Sequence, residues 1–418
     1  MYRIIAIREV KPLFLLAFVA MLAPQLVFAQ NVQNIIIDKA PPAAPLEVTV
    51  DYFTSAAVPS VVLGSSNQKK RGPGGYYLYQ SANDLNGPWT RTTIDPVGDA
   101  YEITRAFTWP GDAFPGFMAS RSGQLVWYQN PMNWGGDPAQ PWPMEVINPH
   151  AGCHDMWIVD VDQDGHPDVV CSSVFYGGTD NFIAFANAYN DWTIVNNPFQ
   201  VNGEPIGDYL APLSVSGGER INIVGATTSG IYWFRNPLFV DGNPRTDRWT
   251  PFLVGAAGTG QQVRQVDVKN TPYGAPTDGI VAASGEEAYG PWTQGLVWYS
   301  AGTNPQAQWT AHPLDATYRA VHAINSDAFN GTPYFIVAEQ EQAGATPTFP
   351  AEHPGIPSRV VMFTYTGGVF NPALELSTQG TRNQSIVTYK GNLLVIGVNH
   401  GLLGTQWPAL QAWLIPPR

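Results

Sequence analysis

The sequence predicts an all-β fold: a seven-bladed β-propeller of four-stranded antiparallel blades, its last blade closed by the N-terminal strand. Three observations predict it. A short aromatic phrase recurs seven times, a strand led by Trp follows most copies, and the two chain ends each lack what the other supplies.

The recurring phrase reads "GGYYLYQSAN", "GQLVWYQNP", "NFIAFANAY", "GIYWFRNP", "GLVWYSAG", "RVVMFTYTG" and "LQAWLIPP". Copies follow at spacings of roughly 50 to 65 residues, a period that marks blades or repeats. Each copy alternates as a half-buried strand does and is usually opened by Gly and closed by Asn or Pro. Trp-led strands follow, among them "WTRTTIDP", "WPMEVINP", "WTIVNNP", "WTPFLVGA" and "WTAHPLDA". A β-rich stretch with an internal turn precedes each phrase, so a unit supplies four strands, A to D, in a meander. Stacked radially, such units leave few open sheet edges, whereas a single β-sandwich would not repeat seven times.

The seventh unit has A ("QSIVTYKG"), B ("NLLVIGVN") and C ("ALQAWLI") and then stops. The stretch "NVQNIIIDKAPP" resembles a strand D, so residues 32–39 are expected to complete the last blade.

Composition agrees. Charged residues make up 13% of the 418, against 41 glycines, 37 prolines and 12% aromatics, a profile of short strands and turns rather than long helices. The formal charge of -12 argues against nucleic acid or an anionic membrane as partner. "MYRIIAIREVK" carries Arg3, Arg8 and Lys11 and leads into the apolar "PLFLLAFVAMLAPQLVFA". Residues 1–29 therefore read as a cleaved secretory signal, with a membrane anchor as the alternative, and residues 30–418 as one propeller domain. No later segment is apolar for long enough to span a bilayer. A secreted or periplasmic monomer is expected. In that compartment Cys153 and Cys171, flanking a hairpin, are expected to form a cross-strand disulfide; two buried thiols are the alternative.

Between those cysteines lies "VDVDQDGHPDVV", Val159–Val170. Asp160, Asp162, Asp164 and Asp168 fall at positions 1, 3, 5 and 9 of a DxDxDGxxD loop, with Gly165 at the sharp turn and the His166 carbonyl at position 7. Hard oxygen donors so spaced can wrap Ca2+, while Mg2+ demands tighter geometry and more water.

At this loop the chain resembles the FG-GAP/VCBS repeat propellers. "DGHPDVV" followed by a "VWYQNP"-type strand C is that family's phrase, and "YFIVAEQEQAG", "RVVMFTYTGG" and "LLVIGVNHG" look like its later blades. The resemblance implies a structural calcium that fastens the hairpin at the outer part of the blade. Only blade three keeps the acidic loop; "SVSGGERIN", "VDVKNTPYGAPTDG", "SDAFNGTPY" and "TYKGN" lack most of its carboxylates.

Propeller ligands usually bind at the mouth of the central channel or in grooves between blades, and strand A lines the channel. Candidates near the start of strand A are Arg105, His154, Asp155, Arg264, Arg319, His322, Arg382 and Asn383. Converging arginines would make a basic mouth for an anionic ligand such as a uronate; the alternative is that each pairs with a neighbouring acid. His154, His322, His353 and His400, with Glu352 beside His353, form a second set suited to proton transfer or a transition metal. Two insertions, "AEQEQAGATPTFPAEHPGIPSR" and "SGEEAYGPWTQG", bring Glu339, Glu341, Glu286, Glu287, Tyr289 and Trp292, a mixture suited to sugar rings.

Serine-nucleophile elbows, phosphate loops and zinc helices are absent from the sequence. Similar propellers form part of fungal aldos-2-ulose dehydratase, so the resemblance implies a carbon–oxygen lyase or dehydratase. His322, His353, His154, Arg264 and Arg319 would then be the catalytic set, with Arg105, Arg382, Asn383, Glu352 and Trp292 as ligand-binding residues. Integrin α heads and fungal lectins imply the alternative, a non-catalytic lectin or adhesion scaffold. The candidate residues differ between blades, which favours one central site for a carbohydrate or anionic small molecule over seven equal ones.

Overall fold

The structure is a computed structural model. It describes residues 31–42, 45–66, 74–96, 100–172, 181–207, 209–215, 219–227, 229–255, 261–267, 278–284, 295–318, 321–339, 359–377, 381, 383–398 and 410–417. Side chains are described at all of these except 100–102, 219–220, 261–267, 278, 284, 322 and 383. The expected signal segment lies outside the described residues.

Seven four-stranded antiparallel sheets follow one another along the chain. Their A strands are Pro45–Asp51, Ala100–Phe107, Asp155–Val159, Leu210–Val215, Gln261–Asp267, Val321–Phe329 and Asn383–Tyr389. Each A strand touches the A strand of the blade before and the blade after, and that of blade seven returns to blade one. The A strands thus form a closed ring around the axis, as a propeller requires.

Closure is made as the two chain ends foretold. Gln33–Asp38 pairs antiparallel with Leu410–Ile415 and becomes strand D of blade seven. Ile35 and Ile37 point inward while Ile36 is exposed, the alternation of an outer strand with one covered face.

Seven hydrophobic clusters explain the radial stacking, because each spans two neighbouring blades. Blades one and two share Tyr76, Leu78, Phe117 and Tyr128. Blades two and three share Trp127 and Phe182, three and four Phe185 and Phe234, and four and five Trp233 and Tyr299. Trp298 with Phe335, Ile336 with Trp413, and Leu63 with Ile396 complete the circuit. The alternation of Gly75–Ser81 follows directly: Tyr76 and Leu78 face blade two, while Tyr77 and Tyr79 face blade seven. Inner strands are buried on both sides, so their sequences are apolar throughout, whereas outer strands such as Trp89–Asp95 alternate with solvent.

The Trp that leads strand D has a repeated task. The indole N–H groups of Trp89, Trp142 and Trp309 each donate to the carbonyl four residues earlier, at Leu85, Pro138 and Pro305. The turn from strand C is thereby fixed before strand D begins.

In every blade the start of strand A lies beside the end of strand B, as in the pairs Asp155–Ser172, Val321–Glu339 and Asn383–Val398. The start of strand A and the end of strand B therefore share one face of the ring, here called the upper face. The end of strand A and the start of strand B, with the acidic loop between them in blade three, lie on the lower face. Among the described residues no helix is long and apolar enough to cross a membrane.

Candidate functional site

On the upper face the blade-three residues are tightly engaged. Asp155, the first residue of strand A, is 1% exposed and accepts Arg105 Nη2 from blade two at 3.5 Å. Its other oxygen accepts the Leu210 N–H of blade four at 3.3 Å. One carboxylate so ties three blades together. The Arg105 guanidinium also lies over Trp157, 5.6 Å from the ring centroid, and donates to the Thr104 carbonyl. Arg105 is thus paired with a neighbouring acid. His154 is buried one residue earlier, edge-on to Tyr209 at 5.1 Å.

Glu339 ends strand B of blade six and is 2% exposed. Arg359 reaches it through Nε at 3.0 Å and Nη2 at 3.5 Å, and its guanidinium lies 4.0 Å over the Tyr318 ring. The Glu339 N–H donates to the Arg359 carbonyl at 2.9 Å. These contacts clasp the two ends of the long blade-six insertion, a role the sequence reading did not give to Arg359.

The other upper-face candidates are placed only in part. Arg264, His322 and Asn383 sit on the A strands of blades five, six and seven, with side chains not described. Arg319, Arg382, Trp292, Glu352, His353, His400, Glu286, Glu287, Tyr289 and Glu341 lie outside the described residues.

The cysteines meet as a disulfide, Cα to Cα 5.2 Å. It runs diagonally: Cys171 is in register with Met156, while Cys153 precedes strand A. The His154 N–H donates to the Ser172 carbonyl beside it at 2.7 Å, and the bridge so secures the upper end of the hairpin.

At the lower end of that hairpin the acidic loop turns through Gln163 and Gly165, both at positive φ (59° and 94°). Asp160 braces it by accepting the Asp164 and Gly165 N–H groups at 3.1 and 3.0 Å. Asp168 is fully buried and accepts N–H groups from Val161 (2.8 Å) and Ala186 (2.9 Å). Burial pushes its carboxyl up to about 7, although those two bonds favour the charged form and the Asp162 and Asp164 charges add to the rise.

Asp160, Asp162 and Asp168 bring ligand oxygens within 4.8 Å of one another. Asp162 Oδ1 is buried there with no hydrogen bond. A hard divalent cation fits that donor set, since it would satisfy the orphaned oxygen and offset the buried charge. Asp164 is not in the group. Its Oδ1 accepts the His166 N–H at 2.8 Å, and its Oδ2 faces Arg245 of blade four at 3.3 Å. Arg245 Nε also lies 2.6 Å from Asp162 Oδ2. Nothing local could have revealed Arg245, which is 83 residues away in sequence from Asp162.

Fold and ring closure define the class: a seven-bladed β-propeller. No protein-family profile matches the chain, and no curated protein sequence does either. Neither comparison confirms the FG-GAP/VCBS family for this chain. Among solved structures, the chain is similar to an ancestral GH74 enzyme at 12% identity and a TM-score of 0.44. The match covers 88% of this chain and spans 56% of the length of that one. Likeness at that distance transfers neither ligand nor activity.

Proposed function

We propose that this protein is a secreted propeller that binds a sugar-like or anionic small organic ligand at one site on its upper face, with a calcium ion fastening the blade-three hairpin below. The observation that carries the reading is the set of buried polar groups at the upper ends of strands A and B. Glu47, Ser65, His154, Asp155, Glu339 and Gln384 are all under 5% exposed, and the set changes between blades: Glu and Ser from blade one, His and Asp from blade three, Glu from blade six and Gln from blade seven. Seven equivalent subsites would repeat the same residues in each blade. A single asymmetric site needs the variety seen here, and the strand ends that flank the long insertions of blades five and six lie on the same face.

Calcium belongs to the frame in this reading. The acidic loop follows strand A and the upper face precedes it, so a five-residue strand, roughly 17 Å long, separates them. An ion in the loop is too far from the upper face to polarise a ligand there.

Incubation of the full chain with calcium, neutral and uronate oligosaccharides and small keto-sugars, read by mass spectrometry and equilibrium binding, tests the function. Saturable binding abolished by blocking the upper face supports the proposal. Loss of water or an unsaturated uronate product would add an elimination, with His154, His322, His353, Arg264 and Arg319 as the first alanine targets. Binding without turnover favours a lectin. Absence of binding across the panel overturns the ligand class and favours an adhesion scaffold.

A further inference from the structure

We propose that Arg245 is the resident counter-cation of the blade-three acidic loop and sets its calcium affinity by competing for Asp162 and Asp164. The inference rests on the calcium reading above.

Arg245 is delivered by a braced connection. Asn236 caps the short 3-10 turn Pro237–Val240, Asp241 leaves it at φ 57°, and Asp247 Oδ2 accepts the Asn243 N–H at 2.7 Å. Asn243 Oδ1 in turn accepts the Arg245 N–H at 2.9 Å. From that base the guanidinium crosses to blade three. Nε bonds Asp162 Oδ2, Nη2 bonds Asp164 Oδ2, Nη1 bonds Asn187 Oδ1, and the plane lies 4.7 Å above the Phe185 ring. All three donor nitrogens and one face of the guanidinium are in use, a fixed arrangement rather than a passing surface contact.

Two consequences follow for the loop. Asp164, at the third acidic position, is drawn out of the converging set and leaves three carboxylates for a metal. Asp162 is shared: one oxygen faces the arginine, while the other is the buried orphan. A divalent cation on that orphan would face a fixed positive charge across a single carboxylate, in a site partly shielded from water, so the two cations repel. Arg245 holds the loop folded without metal and weakens it as a calcium site.

Calorimetric titration with CaCl2 of the chelator-treated full chain tests this, together with melting curves with and without calcium. Arg245→Gln is expected to bind calcium about ten-fold more tightly than wild type, and to melt lower than wild type without metal. Should that variant not fold, Arg245→Lys keeps the charge but cannot bridge both carboxylates, and a gain of about three-fold is expected. Calcium binding by wild type with no gain in the variants overturns the role of Arg245 and leaves the calcium reading standing. No calcium binding by wild type or variants overturns both.

Discussion

Asn236 of blade four donates its side-chain amide to the Val161 carbonyl of blade three at 2.8 Å. It also donates to the Ile221 carbonyl and accepts the Leu238 N–H, so one buried side chain joins two blades and caps a turn. Asn130 of blade two repeats the device with Phe53 of blade one at 2.7 Å, donating also to Pro115 and capping Met132. The Asn-Pro that closes the aromatic phrases "YQNP" and "FRNP" is therefore an inter-blade latch.

Asn236→Ala strands one buried carbonyl, one part-buried carbonyl and one turn N–H. A loss of about 2–3 kcal/mol is expected, read as a lower urea midpoint with unchanged slope. Asn130→Ala should behave alike, and a change under 0.5 kcal/mol at both would mean water replaces the amide without cost.

Glu339→Ala leaves Arg359 beside Tyr318 with no acid in the clasp. Because Glu339 is buried and Arg359 is about one-fifth exposed, a loss of about 2–3 kcal/mol is expected. Glu339→Leu combined with Arg359→Met should cost less than Glu339→Ala alone. A double variant as unstable as the sum of the singles would show that the pair is not coupled.

Ile35→Ala weakens the strand that closes the ring. Ile35 is 6% exposed and packs against blades one and seven, so about 2 kcal/mol is expected in chemical denaturation. Ile36→Ala on the same strand, at 45% exposure, should stay near neutral. Equal effects at the two positions would contradict the observed register.

His312 supplies a pH dependence. Its ring stacks on Trp298 at 4.4 Å, its Nε2 meets Ser300 Oγ at 2.8 Å, and burial lowers its pKa. The unfolded chain then takes up the proton first as pH falls. Stability present above the ordinary histidine value of about 6.5 should decline as pH drops from there through the folded pKa. His312→Gln should flatten that part of the stability–pH curve, and an unaltered curve would assign the slope to other groups.

Alternation and the aromatic phrase made the blades legible, because inner strands must be apolar on both faces and each outer strand on only one. The incomplete seventh unit announced its own closure by Gln33–Asp38, since a strand D motif without its A, B and C can pair only with the far end. The disulfide was legible as two cysteines at one hairpin, and the acidic loop as a spacing. The pairing of Arg105 with Asp155 was one of two outcomes the sequence left open. Arg359 was present in the blade-six insertion, but its closing partner Glu339 could not be identified from spacing alone.

Local pattern by itself determined the fold class, the order of strands and the position of the one acid-rich turn. Each of these depends on residues close in sequence, where backbone geometry dictates which side chains share a face. Tertiary structure alone decided which blades share each core cluster, that Asp155 ties three blades together, and that Arg245 enters a loop 83 residues before it. Those contacts form between chain segments that meet only when the ring closes, and no periodicity encodes a partner on another blade.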